Sequence, residues 1–165
     1  MIRAARPADV PVIHRLIREL ADYEHALDEV RATEDDLRAA LFGPEPALFA
    51  HVAEHQGTVV GFALWFVNYS TWTGRHGIYL EDLFVSPAVR GSGLGRALLA
   101  ELAGICVERG YARLDWAVLN WNSPAIGFYA SLGAQSQNDW TGYRLSGPAL
   151  QAVAAGREPV PGGPQ

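Results

Sequence analysis

A mixed β-sheet with helices on both faces is the architecture to which this chain points. Its first half carries short apolar runs bounded by turn residues; its second half alternates strand-like with helix-like runs. A length of 165 residues, 49% hydrophobic and 19% charged, suits one globular α/β (α+β) domain and excludes disordered, collagen-like and disulfide-scaffold classes. We expect that domain over residues 1–146, followed by a flexible Pro-, Gly- and Ala-rich tail over 147–165.

Each element has its own signal. Ile2 to Ala5 reads as a first strand. A helix follows from Pro7 or Asp9 to Tyr23, with Val12, Ile13, Leu16, Ile17 and Leu20 on one face. Glu24, Asp28 and Glu29 then make an acidic connection. Thr33, with Asp36 three positions on, forms a capping-box pattern opening a second helix that ends near Gly43-Pro44. Phe49 to Glu54 and Val59 to Tyr69, joined around Gln56-Gly57, predict an antiparallel hairpin. Ile78 to Val85 is another strand, bounded by Gly77 and Ser86-Pro87. Leu94, Leu98, Leu102 and Ile105 recur at helical spacing until Gly110 stops them. Leu114 to Leu119 reads as a buried strand. Pro124 occupies the first turn of a helix closing at Gly133, and Tyr143 to Leu145 supply a last strand.

Composition removes several chemistries. All 13 basic residues are arginine, so a Walker-type phosphate loop, a pyridoxal Schiff base and a lysine general base are excluded. A net charge of −5 argues against a nucleic-acid partner. The longest apolar run, Val59 to Val67, is too short for a bilayer, which needs about 20 residues. No membrane partner is expected. Cys106 is the lone cysteine and no leader pattern precedes the first strand, so the expected location is the cytoplasm. Cys106 itself reads as a small buried hydrophobe. His14, His25, His51, His55 and His76 share no ligand spacing, and no metal is expected.

The informative stretch is Arg90-Gly91-Ser92-Gly93-Leu94-Gly95-Arg96, which follows a strand and opens a helix. Alternate glycines let the backbone turn tightly and bring several N–H groups to one point. The helix start adds unpaired N–H groups and the positive end of its dipole. Together they suit a pyrophosphate, and Arg90 and Arg96 can add charge-assisted bonds. The position past mid-chain, after a hairpin, fits a nicotinamide-binding unit poorly.

With Asn120-Trp121-Asn122-Ser123-Pro124-Ala125-Ile126-Gly127-Phe128-Tyr129 and Leu132-Gly133-Ala134 downstream, this loop resembles the GCN5-related N-acetyltransferases (GNAT). More narrowly, the chain is similar to their diamine (spermidine/spermine) and thialysine branch. The likeness runs from Ile2 to about Ser146 and takes in Leu20-Ala21-Asp22-Tyr23-Glu24 and Tyr69-Ser70-Thr71-Trp72-Thr73-Gly74.

The resemblance implies a GNAT fold, with a splayed pair of parallel strands in the sheet, and acetyl-CoA as donor to a primary amine. Backbone groups of Leu83, Phe84 and Val85 would pair with the pantetheine arm, much as an added strand does. Gly91 through Arg96 would hold the pyrophosphate, and Asn122, Ser123, Pro124 and Ala125 would line the arm's other side. Tyr129 would protonate the departing thiolate, a role open to a phenol of ordinary pKa about 10. The plainer alternative for Tyr129 is a core aromatic between Phe128 and Leu132. Glu81 would bind the acceptor or act as a water-relayed base, and strand alternation sends it and Asp82 to opposite faces. A solvated strand face is the alternative for Glu81. Tyr23 and Glu24 match acceptor contacts, as do Trp72, Asp115 and Trp116 more weakly. Trp65, Phe66, Trp121 and Trp140 read as core or subunit contact. A homodimer is implied as well.

Two departures bear on the acceptor. The polyamine enzymes of this branch carry acids where this chain has Ser70 and Thr141, which favours a shorter acceptor here. The run Ala117-Val118-Leu119-Asn120-Trp121-Asn122 is closer to the thialysine type, whose acceptors resemble lysine or ornithine. A peptide amine as acceptor, or an acyl-CoA-binding module without turnover, are the competing functions.

Overall fold

Strand pairing in the first half follows the apolar runs. In the computed structural model, which describes residues 1–158, β1 (Ile2–Ala4), β2 (Phe49–His55), β3 (Thr58–Ser70), β4 (Arg75–Val85) and β5 (Leu114–Trp116) form one sheet in that spatial order. All pairs are antiparallel except β4–β5, which is parallel. The mixed sheet of the sequence reading is therefore present. These strands belong to a compact unit of Met1–Trp121; a second unit begins at Asn122.

Helices cover both faces of the sheet. On one side α1 (Val10–Tyr23) and α2 (Glu34–Phe42) bury Val10, Ile13, Leu16, Leu37 and Leu41 against Val52, Phe62, Leu64 and Phe84. Burying each such side chain contributes about 1.5–3 kcal/mol. On the other side α3 (Leu94–Glu108) packs Leu98 and Leu102 against the sheet. His51 faces Glu101 of α3 while its neighbour Val52 lies in the α1 cluster, as strand alternation requires. A turn of 3-10 helix over Pro7–Asp9 precedes α1, which explains the two possible starts in the sequence. Thr33 and Asp36 close the expected capping box: Asp36 N donates to Thr33 Oγ1 at 3.2 Å and Thr33 N to Asp36 Oδ2 at 2.8 Å.

Two features of β4 set up the site. First, β4–β5 pairing runs from Ile78↔Leu114 to Leu80↔Trp116 and stops, although β4 continues to Val85. The parallel pair parts there. Second, Leu64 pairs with Asp82 but Trp65 pairs with Leu80, which leaves Glu81 as an extra residue in a β-bulge.

The second unit holds α4 (Ser123–Ser131) and α5 (Gly147–Ala154). Three expectations change. The strand expected to Leu119 ends at Trp116. No strand forms at Tyr143 to Leu145; Tyr143 is 95% exposed and Leu145 47%, so this stretch buries neither apolar side chain. The stretch expected to fray after Gly147 begins with α5, whose Pro148 suits a first helical turn and whose Ala, Leu and Gln residues favour helix. The rest of that expected tail, residues 159–165, lies outside the described residues.

Candidate active site

The glycine loop adopts the geometry its sequence requires. Gly91 and Gly93 have φ of +82° and +81°, and a Cβ at either would meet nothing within 4 Å. The left-handed backbone demands glycine, and open space lies in front of both. At the start of α3, Ala97 N donates to Gly93 O at 2.9 Å, so the helix opens directly on the left-handed N-cap glycine. Ser92 turns its hydroxyl back into the loop, donating to Val89 O at 2.6 Å. Arg90 Nε donates to Val85 O at 3.3 Å, and its guanidinium lies 5.0 Å from the Tyr23 ring centre and 5.7 Å from that of Phe84.

Leu83, Phe84 and Val85 pair with Ala63, Phe62 and Gly61 of β3 on one edge. On the other edge β5 has already left, so backbone groups of this segment face the gap. Such an edge accepts an amide-bearing chain in extended form.

Beside this gap stand three carboxylates. Asp82 is pushed up to about 6, by burial first and then by the charges of Glu81 and Glu24. Burial raises Glu24 too. Glu81, on the bulge, is exposed. A buried acid with two further acids close enough to raise it forms a ready site for a cation. Tyr23, the last residue of α1, and Glu24, its C-cap, border them. Trp121 packs on Tyr23 at 5.8 Å and on His25 at 5.7 Å between ring centres.

The structure thus gathers Tyr23, Glu24, Glu81 and Asp82 with Arg90 and the amide loop. Trp116 pairs with Leu80 where β4 and β5 part. Asp115 accepts from Arg113 Nε at 2.7 Å and from Asn68 Nδ2 at 3.2 Å, two partners that hold it on the sheet. Trp72 sits in the β3–β4 turn, 87% exposed. That turn lies up β4 from Glu81 by Arg75 to Leu80, roughly 20 Å of strand. Ser70 caps the same turn, its Oγ accepting from Thr73 N at 3.3 Å. In the second unit Asn122 is the N-cap of α4, its Oδ1 accepting from Ala125 N at 3.3 Å, with Ser123 and Pro124 in the first turn. Tyr129 is half-buried on α4, 5.4 Å from Phe128 between ring centres. Cys106 is buried, as expected, and burial raises its thiol pKa.

Sequence reasoning missed Trp121 and His25 as neighbours of Tyr23, and it missed the bulge. The bulge has no local mark, because the continuous apolar runs Ile78-Tyr79-Leu80 and Leu83-Phe84-Val85 flank Glu81-Asp82 without alternation.

Residues 13–134 match the family described as Acetyltransferase (GNAT) family. The chain belongs to that family. This GNAT chain is 42% identical to thialysine N-epsilon-acetyltransferase of Bos taurus, across 93% of its own length and 96% of the relative's. It is 32% identical to L-ornithine N5-acetyltransferase of Arabidopsis thaliana, covering 92% of itself and 86% of that protein. Among solved structures, an integron cassette protein from the mobile metagenome of V. cholerae superposes with a TM-score of 0.78 at 28% identity, covering 93% and 96% of the two chains. The GNAT chain is therefore an enzyme, an N-acetyltransferase of the branch its motifs indicated. Among its described residues no group of three His, Cys, Asp or Glu could hold a metal ion, and no helix is long and apolar enough to cross a membrane.

Proposed function

We propose that this enzyme moves acetyl from acetyl-CoA directly to a primary amine of a small cationic acceptor. The class comprises short diamines, polyamines and lysine- or ornithine-like amino acids. One observation carries the reading: the acids Glu24, Glu81 and Asp82 cluster on and beside the strand that leads into the amide-lined loop. The names of the relatives, thialysine and L-ornithine acetyltransferases, support the same class. The uncharged Ser70, committed to its turn, favours the shorter acceptors.

The residues present fit the donor. Leu83 to Val85 offer the strand edge, Gly91 to Arg96 the diphosphate cradle, and Arg90 a guanidinium beside it. When bound, the donor supplies an activated thioester carbonyl. Asp82 and Glu24 hold the ammonium of the acceptor, and Glu81, facing water, takes its proton. The amine lone pair then forms the C–N bond as the C–S bond breaks. Tyr129 gives its phenolic proton to the departing sulfur, the acylated nitrogen sheds its second proton to solvent, and solvent reprotonates Tyr129.

A cytoplasmic homodimer completes the proposal, on the family likeness and the buried lone cysteine. A second copy would also give Trp72 an acceptor site to border. Thiol release from acetyl-CoA across a panel of diamines, polyamines and basic amino acids tests the reading. Turnover with a small amine supports it. Turnover with peptide amines alone would reassign the acceptor, and calorimetric binding of acetyl-CoA without any turnover would make the chain an acyl-CoA-binding module.

A further inference from the structure

Arg90 opens the glycine loop, yet its side chain turns back to the end of β4. Ser86 N donates to Val60 O of β3 at 2.8 Å, and the N–H and C=O of neighbouring strand residues face opposite edges. The carbonyl of Val85 therefore faces the edge that β5 has left. Arg90 Nε donates to that carbonyl at 3.3 Å. Its guanidinium carbon lies 5.0 Å from the Tyr23 ring centre and 5.7 Å from that of Phe84, both within cation–π reach. Both rings are fixed from elsewhere. Phe84 belongs to the core cluster, and Tyr23 is the last residue of α1, with Trp121 packed on its ring.

Nε is the one hydrogen-bonding atom of Arg90 with a partner among the described residues, so both Nη groups remain for an anion where the strand edge becomes the loop. Val85 O keeps a second lone pair for an incoming amide. An arginine on an exposed loop gives up rotamer freedom when it grips an anion; one already bonded at Nε and stacked on rings has given it up beforehand. Tyr23 is the nearer of the two rings and comes from a separate element. We propose that Tyr23 is a positioning residue for the donor: by stacking on Arg90 it holds that guanidinium ready for the diphosphate of acetyl-CoA. This rests on the donor reading given above, and it gives a residue beside the acceptor acids a second duty at the loop. The ring makes the stack, so the Tyr23 hydroxyl has no part in it.

Variants of the full-length enzyme test the link by calorimetry with CoA and no amine present. Tyr23→Leu removes the ring and is expected to weaken CoA binding about fivefold, the scale of an exposed cation–π contact. Tyr23→Phe keeps the ring and should stay within about twofold of the wild type. Arg90→Gln removes the guanidinium; adding Tyr23→Leu to it should cost less than about twofold more, because the ring then has nothing to hold. The donor S-acetyl-pantetheine has no diphosphate, and its KM should be the same in Tyr23→Leu as in the wild type.

Unchanged CoA affinity in Tyr23→Leu would overturn the proposal. So would a loss that Tyr23→Phe shares, that persists in full beside Arg90→Gln, or that extends to S-acetyl-pantetheine. Should Tyr23→Leu fail to fold, the wild type decides. Nuclear Overhauser contacts between the Arg90 δ-methylene and the Tyr23 ring should persist on saturation with CoA; their loss would mean that the arginine leaves the ring to take the donor. A wild type that does not bind CoA defeats the donor reading itself and the role of Tyr23 with it, whereas equal binding by wild type and Tyr23→Leu defeats that role alone.

Discussion

Asp82, which holds the ammonium, and Tyr129, which protonates the departing sulfur, serve opposite ends of the proposed reaction, and each can be removed alone. Asp82 titrates at about 6 because burial, then Glu81, then Glu24 disfavour its charge. At neutral pH it is mostly ionised and attracts the ammonium. As pH falls through its pKa it takes up a proton and the attraction weakens. We expect kcat/KM for the amine to decline on the acid side with that ionisation. Asp82→Asn should lose it and cost at least about tenfold in kcat/KM near neutrality, as read from initial-rate profiles. The same raised pKa means that folding favours the protonated form, so ionised Asp82 costs stability above its ordinary value of 3.8, fully so above about 6. The variant should therefore melt higher than the wild type at neutral pH while working worse. A variant that melts lower would show Asp82 to be structural. Tyr129→Phe is expected to keep the fold and the calorimetric affinity for acetyl-CoA, with turnover lowered at least about tenfold. Unchanged turnover would remove Tyr129 from the reaction.

The unit of recognition at the next scale is the β4–loop–α3 segment, where a strand edge passes into a ring of amides. Its weak point is Gly93, the N-cap of α3, held at φ +81°. Alanine there meets no atom within 4 Å, so the cost is the left-handed backbone alone, about 1–2 kcal/mol. We expect Gly93→Ala to raise KM for acetyl-CoA severalfold, with the KM for the amine little changed, by steady-state kinetics with each substrate varied. A variant with both constants unaltered would mean that the loop does not grip the donor. This segment was readable in the sequence because its causes are local: glycine at left-handed positions, a strand before, a helix after. The Thr33–Asp36 cap and the Gln56-Gly57 turn were readable for the same reason. The bulge at Glu81 was not, since it depends on how Trp65 of one strand sits against Leu80 of another. Alternation along β4 placed Leu80 and Asp82 on one face; the bulge puts Leu80 against Trp65 and Asp82 against Leu64. The end of β5 at Trp116 was hidden likewise, because the apolar run Ala117 to Leu119 continues beyond the last paired residue.

At the scale of the whole sheet, an ion triad secures the N-terminal edge strand. β1 is three residues long, an edge strand, and none of its side chains is fully buried. Arg3 compensates by reaching two acids from separate elements. It donates to Asp9 at 2.7 and 3.0 Å and to Glu54 at 2.8 and 2.6 Å. Asp9 lies in the turn before α1 and Glu54 on β2, so one guanidinium ties strand, turn and sheet together. Arg3 holds the Asp9 carboxyl below its ordinary 3.8, against the opposing effect of burial, and the Arg6 N–H adds to the lowering. An acid with a depressed native pKa adds stability that is complete above its unfolded pKa and is lost as pH falls through the folded one. Arg3→Met keeps much of the side-chain volume but leaves two partly buried carboxylates facing each other. Removing one partner of such a cluster costs about 3–5 kcal/mol at neutral pH. In the variant the stranded Asp9 can relieve the repulsion by taking a proton, so acid helps it while harming the wild type. The gap between the two urea-unfolding free energies should therefore be largest near pH 7 and shrink towards about pH 3. A gap of equal size at both ends would mean that Arg3 acts through the packing of its methylenes, and that charge is not what fastens β1 to the sheet.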